Sequence, residues 1–217
     1  MRKTTSFSFT DNGRPLSCSM REMSAFQMES WLARAAELLP AQDSPGVGNT
    51  APGLAPNALD VADAILRRGI WALACRDYAR AAPLLQELLD CCAILDGETG
   101  AALPCTEENI NGHISEVTTL INLRQAALRF NLNFAQPEGR SQLHFRKESA
   151  FRREVADRVY ARTVNVPEVT AALISQSMAS LHDLQNTYSF ADALDLLEIA
   201  NVRNYNHWAA SEKRNHR

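Results

Sequence analysis

The chain has no GxxxxGK(S/T) loop and no GxGxxG turn, so the glycine-rich backbone cradles that commonly hold phosphate are missing. It also has no GxSxG elbow, no HExxH and no HxH. His113, His144, His182, His207 and His216 are dispersed along the chain, without the spacing that assembles a metal site. Charge of one sign is lacking too: the formal net charge of -3 supplies no bulk attraction to nucleic acid or to a membrane surface. No apolar run approaches the roughly 20 residues needed to span a bilayer. The first residues carry Arg2 and Lys3 but no apolar signal core, so the expected compartment is a cytoplasm. Cysteine is sparse: Cys18, Cys75, Cys91, Cys92 and Cys105 are odd in number, and Cys91-Cys92 is neither a CxxC pair nor a zinc knuckle. Free, mostly buried thiols are expected. Carboxylate pairs such as Asp192 with Asp195 and Glu107 with Glu108 fall at expected helix starts, where capping accounts for them without acid-base chemistry.

What is present is a soluble-protein composition, 46% hydrophobic and 22% charged over 217 residues, enough for one large domain or two small ones. The longest uninterrupted helical period runs from Thr106 to Phe134. Ile110, Ile114, Val117, Ile121 and Leu128 recur on one side of a 3.6-residue helix, broken at Arg124. Thr106 is the expected N-cap, Glu107 and Glu108 suit the first turn, and Arg124 and Arg129 suit the last. The reading is one helix of about six or seven turns.

Upstream, Asn12-Gly13 favours a two-residue type I′ turn between strands at Thr5 to Asp11 and Arg14 to Met20. That turn sets Phe9 against Leu16, Phe7 against Cys18 and Thr5 against Met20, with apolar residues on one face. Pro15 cannot donate to a ladder, which favours a small ribbon laid on helices. Ser24 and Gln27 have capping-box spacing and open a helix to about Leu39, carrying Met28, Trp31, Leu32 and Ala35. The stretch from Ala41 to Asn57 reads as a mobile loop. Asn57 caps an expected helix to Cys75, largely buried through Val61, Ile65, Leu66, Ile70, Trp71 and Leu73. A further helix runs from Tyr78 to Cys92, and Ala93 to Leu95 with Ala101 to Pro104 forms a short second hairpin.

Polar composition with Pro137 and Gly139 marks a boundary. The expected organisation is a hairpin-plus-helix domain over 1–134, a linker over 135–149 and a C-terminal helical region over 150–217. In the last, Pro167 starts a helix to about His182, carrying Val169, Leu173, Ile174, Met178 and Leu181. Ser189, with Asp192 in the first turn, caps a final helix carrying Phe190, Leu194, Leu197, Ile199, Tyr205 and Trp208. Ser211 to Arg217 is charged and reads as a frayed end. The fold class is therefore mainly α: a helical bundle with a small N-terminal β-hairpin and a C-terminal helical extension.

Two stretches resemble the tail assembly chaperones of long-tailed bacteriophages. The first is FSFTDNGRPLSCSMREMSAFQMESWLARAAELL, with the pattern REM.A.Q.E.W..RA from Arg21 to Ala35. The second is EENINGHISEVTTLINLRQAALRFNLNF, with I.EV.TLI.LR...L.....F from Ile114 to Phe134. ADALDLLEIANVRNYNHWAA is similar to segments of the longer, frameshifted forms. The resemblance implies a non-enzymatic protein without catalytic residue, cofactor or metal. It implies binding to the tape measure protein in the host cytoplasm, assistance in recruiting tail tube protein, and absence from the mature virion. Self-association would mask apolar surface when the client is absent. The partner-binding candidates are Ile114, Val117, Ile121 and Leu128 on the long helix, and Leu194, Leu197, Tyr205 and Trp208 at the C-terminus. The alternative is a small phage or prophage regulator that binds nucleic acid through the basic 146–162 stretch, Arg146 to Arg162.

Overall fold

A computed structural model describes residues 1–39, 56–74, 77–97, 99–135 and 165–215. The expected loop at Ala41 to Asn57 lies outside the described residues except for its last two positions. Outside them altogether lie the basic 146–162 stretch, Cys75, His144 and His216; of the 135–149 linker only Ala135 is described. The protein is mainly α, with a small antiparallel sheet near the N-terminus.

The sheet begins with strand β1 (Thr4–Asp11) and strand β2 (Arg14–Arg21). Asn12 and Gly13 both have positive φ, 49° and 77°, the conformation a type I′ turn requires. The register that follows sets Phe7 against Cys18 and Phe9 against Leu16. This hairpin is not a free-standing ribbon. Strand β3 (Cys92–Leu95) pairs with β2, and strand β4 (Ala102–Pro104) with β3, in the order β1-β2-β3-β4. Pro15 is nonetheless accommodated, because β3 pairs with β2 only from Ser17 onward and no strand faces the missing N–H.

Helix α1 (Ala25–Ala36) is opened by the Ser24–Gln27 capping box and crosses the middle of the core. Trp31 is fully buried there, and its indole N–H donates to the Leu84 carbonyl at 3.0 Å. Helix α2 (Pro56–Arg68) starts upstream of Asn57, so Asn57 lies within the helix. It stops earlier than expected, at Gly69, and α3 (Trp71–Ala74) follows separately. Gly69 has φ +68°, and its N–H returns to Ile65 O at 2.7 Å, an αL cap. A Cβ at Gly69 would meet only the end of the flexible Gln125 side chain, Oε1 at 2.6 Å, so it is the positive φ that calls for glycine here. Trp71, expected in a buried helix, is 56% exposed because this turn rotates it outward.

Helix α4 (Tyr78–Asp90) takes its cap from Asp77 and keeps Pro83 in its interior. The carbonyl that Pro83 leaves without a helical donor belongs to Ala79, on an exposed turn where water can satisfy it. The expected single helix from Thr106 is two helices, α5 (Glu107–His113) and α6 (Val117–Asn131), followed by a 3-10 turn at Asn133–Ala135. The break has a tertiary cause. Asp11, at the hairpin tip and 4% exposed, accepts the N–H groups of Ser115 at 2.8 Å and Glu116 at 3.0 Å. Those two amides are held outside the helical path, and α6 restarts on the carboxylate.

The helix expected from Pro167 to His182 also divides, into α7 (Glu168–Ser175) and α8 (Leu181–Asn186). Between them Ser177 has φ +57°, with Met178 N–H bonded to Leu173 O and Ser177 N–H to Ile174 O, a Schellman motif with serine where glycine is usual. Ser180 and Asp183 then form a capping box for α8. Helix α9 (Phe190–Asn215) opens on Ser189 and Asp192 and includes Ser211 to Asn215 of the stretch expected to fray.

The described C-terminal residues share one core with the N-terminal part. Val169, Leu173, Leu184, Phe190 and Leu197 join the same buried cluster as Met28, Trp31 and Leu128. Glu29 of α1 supplies a buried link between the two parts, beside the backbone bonds from Ala25 to Tyr188 and from Arg2 to Thr187: its carboxylate accepts Val169 N–H at 2.6 Å, Thr170 N–H at 3.1 Å and the Thr170 hydroxyl at 3.0 Å.

Candidate partner-binding surface

The eight candidate residues do not form two stripes on one surface. Leu128, Leu194 and Leu197 are buried in the chain's own core. Ile114 and Ile121 are half-buried against it, Ile114 at the C-cap of α5. Val117 is 74% exposed, at the first residue of α6. The division at Ile114 to Glu116 explains the scatter, since residues in phase on one helix fall out of phase when it is cut and restarted.

Tyr205 and Trp208 lie elsewhere. Helix α9 is anchored by Phe190, Ala193, Leu194, Leu197 and Ala200, and no residue from 201 to 213 is buried. Over that half the helix runs along the surface with Tyr205 and Trp208 half-buried, their rings 5.5 Å apart. Ile199, just before this half, is 56% exposed. One turn later Arg203 reaches Gln176, and Asn204 donates to Gln176 Oε1 at 3.0 Å, which pins α9 to the end of α7 beside the exposed Ile174. In the sequence Ile199 and Ile174 are ordinary apolar helix positions. Exposure of an apolar residue depends on what stops covering it, and no sequence period reports that.

The chemistry of the remaining groups is quiet. Among the described residues no cluster of His, Cys, Asp and Glu has metal-binding geometry. Burial pushes the thiols of Cys18 and Cys91 up to about 12 and that of Cys105 to about 11, and raises Cys92 as well. At neutral pH these are protonated packing groups and not nucleophiles. Cys91 and Cys92 donate to the Glu87 and Leu88 carbonyls one turn back. An open cleft of about 200 Å³ lies where α1, α6 and α9 meet, lined by Lys3, Glu22, Asn131, Asn133, Ser189 and Asp195. Three of its polar groups are engaged structurally: Glu22 accepts Lys3 N–H, Asn131 accepts Met23 N–H, and Ser189 bonds Asp192. No described helix is long and apolar enough to cross a membrane.

No family model matches the chain, and no match is found among curated proteins or among solved structures.

Proposed function

We propose that the chain is a non-enzymatic tail assembly chaperone of a long-tailed bacteriophage. In the host cytoplasm it binds the tape measure protein, assists assembly of the tail tube and does not remain in the mature virion. On this reading the sheet with α1 to α6 is the chaperone part, a helical bundle carrying a hairpin, and residues 165–215 belong to its C-terminal helical extension. The observation that carries the reading, beside the sequence resemblance, is the outer half of α9. A long helix with no buried residue from 201 to 213, with the exposed Ile199 just before that stretch and the exposed Ile174 on the neighbouring α7, offers what a long helical client needs, apolar side chains along a rigid rod for helix-against-helix packing.

Co-expression tests it. The tape measure protein is expected to become more soluble with this chain and to elute with it on size exclusion. Ile199→Glu and Ile174→Glu are expected to weaken the complex while leaving circular dichroism unchanged. Equal solubility of the tape measure protein alone, with no complex, overturns the proposal.

A further inference from the structure

The sheet has two edges, and they are guarded differently. β4 is three residues long and ends in Pro104, two ordinary defences against strand addition. β1 is eight residues long, pairs with β2 without a bulge, and contains neither proline nor lysine. The direction of its backbone groups follows from the turn. In a two-residue hairpin Asp11 and Arg14 are the hydrogen-bonded pair, so Thr5, Phe7, Phe9 and Asp11 face β2, and Thr4, Ser6, Ser8 and Thr10 direct their N–H and C=O groups outward. Two bonds fix the same parity: Arg21 N–H donates toward β3, to Cys91 O, and Glu22 N–H donates toward β1, to Lys3 O.

At the tip, the outward carbonyl of Thr10 is taken by the Thr119 hydroxyl. Thr4, Ser6 and Ser8 remain, all exposed, and their outward backbone groups have no hydrogen-bond partner among the described residues. The ends of the strand differ in charge. Arg2 and Lys3 precede it, the stretch from Thr4 to Thr10 is uncharged, and at the tip Asp11 and the exposed Glu116 outnumber the exposed Arg14, leaving it net acidic. Beside that tip sits Val117, the most exposed large apolar residue after Met1.

We propose that the open edge of β1 pairs antiparallel with the same edge of a second copy of this chain, about a two-fold axis at Ser6. Ser6 is the midpoint of the three open residues, so Ser6 lies opposite Ser6 of the other copy and Thr4 opposite Ser8. The outward amides and carbonyls are then satisfied, and the two sheets become one. Antiparallel pairing also brings the basic start of each strand toward the acidic tip of the other, which a parallel arrangement would not, and the other copy lies alongside Val117. The pairing does not depend on which client the chain carries.

Light scattering after size exclusion, over a range of concentrations, tests it on the full chain. The wild type is expected to run as a dimer. Ser6→Lys and Ser6→Glu are each expected to be monomeric at concentrations where the wild type is paired, because like charges then face each other across the axis. Mixing the two variants is expected to restore a dimer containing one copy of each. Ser6→Pro, which removes an outward donor at an edge position, is a second disruption that leaves the surface charge unchanged. Far-ultraviolet circular dichroism and melting confirm that each variant is folded. A wild type that is monomeric throughout, a dimer that persists in all three variants, or a failure of the Lys and Glu variants to associate on mixing overturns the proposed axis.

Discussion

The hairpin tip and the α1–α7 junction use one device in different surroundings: Asp11 and Glu29 are 4% and 6% exposed, but Asp11 binds the amides of exposed residues and Glu29 those of buried ones. Neither α6 nor α7 receives a hydrogen bond from the side chain at its own N-cap. Each takes a carboxylate from a distant element instead, Asp11 at the start of α6 and Glu29 at the start of α7, where orphan amides and the helix dipole favour negative charge. The electrostatic outcomes are opposite. The backbone N–H of Ser115 is the largest influence on Asp11 and holds its carboxyl below the ordinary 3.8. For Glu29, burial outweighs the donors from Val169 and Thr170 and raises the carboxyl above the ordinary 4.5. Similar capping chemistry therefore favours the charged form where the donors belong to the exposed Ser115 and Glu116, and leaves it disfavoured where they belong to the buried Val169 and Thr170.

The comparison breaks most visibly at Glu29. Glu29→Ala leaves buried donors of Val169 and Thr170 unpaired and is expected to cost about 1–3 kcal/mol in chemical denaturation, with loss of protection at the start of α7 in hydrogen exchange. Asp11→Ala is expected to lower the melting temperature by less, because water can reach the freed amides, and to loosen the α5–α6 junction selectively. If Asp11→Ala proves the more damaging, burial of the bound amides is not what separates the two sites.

The pH dependence separates them by sign. Asp11, with its pKa lowered on folding, contributes stability that is complete above 3.8 and is lost as pH falls through its folded value. Glu29, with its pKa raised, makes the folded state gain relative stability as pH falls from above its folded value toward 4.5. Denaturation of wild type, Asp11→Asn and Glu29→Gln across this range is expected to show the wild type losing ground to the first variant below 3.8 and gaining ground on the second above 4.5. The smallest effect is expected at the other end of α7. Ser177→Gly relieves a positive φ and should add about 1 kcal/mol or less, seen as a small rise in melting temperature.

Elements whose defining bonds are local were legible. Ser24 with Gln27, Thr106, and Ser189 with Asp192 cap the helices that follow them, since a cap bonds an amide two or three residues away. Ser180 with Asp183 carries the same signature but lay inside an apolar period that continued through it, and the period prevailed. Gly69 was a visible stop signal overruled in the same way. The break at Ser115 and Glu116 had no local signal, because the group that causes it is Asp11, more than a hundred residues earlier. The partner candidates fared as their elements did: Leu128, Leu194 and Leu197 have the apolar period of a binding stripe and also that of a core, and burial alone distinguishes the two.

The amino-acid sequence by itself determined which segments turn, which helices start at a side-chain cap, and the parity of the first hairpin, because each depends on bonds spanning two to four residues. Only the tertiary structure decided where α6 begins, what caps α7, which apolar residues face water, and which sheet edge is left open. Those outcomes depend on groups brought together from opposite ends of the chain, Asp11 with Ser115 and Glu29 with Thr170, where burial sets both the strength and the sign of the interaction.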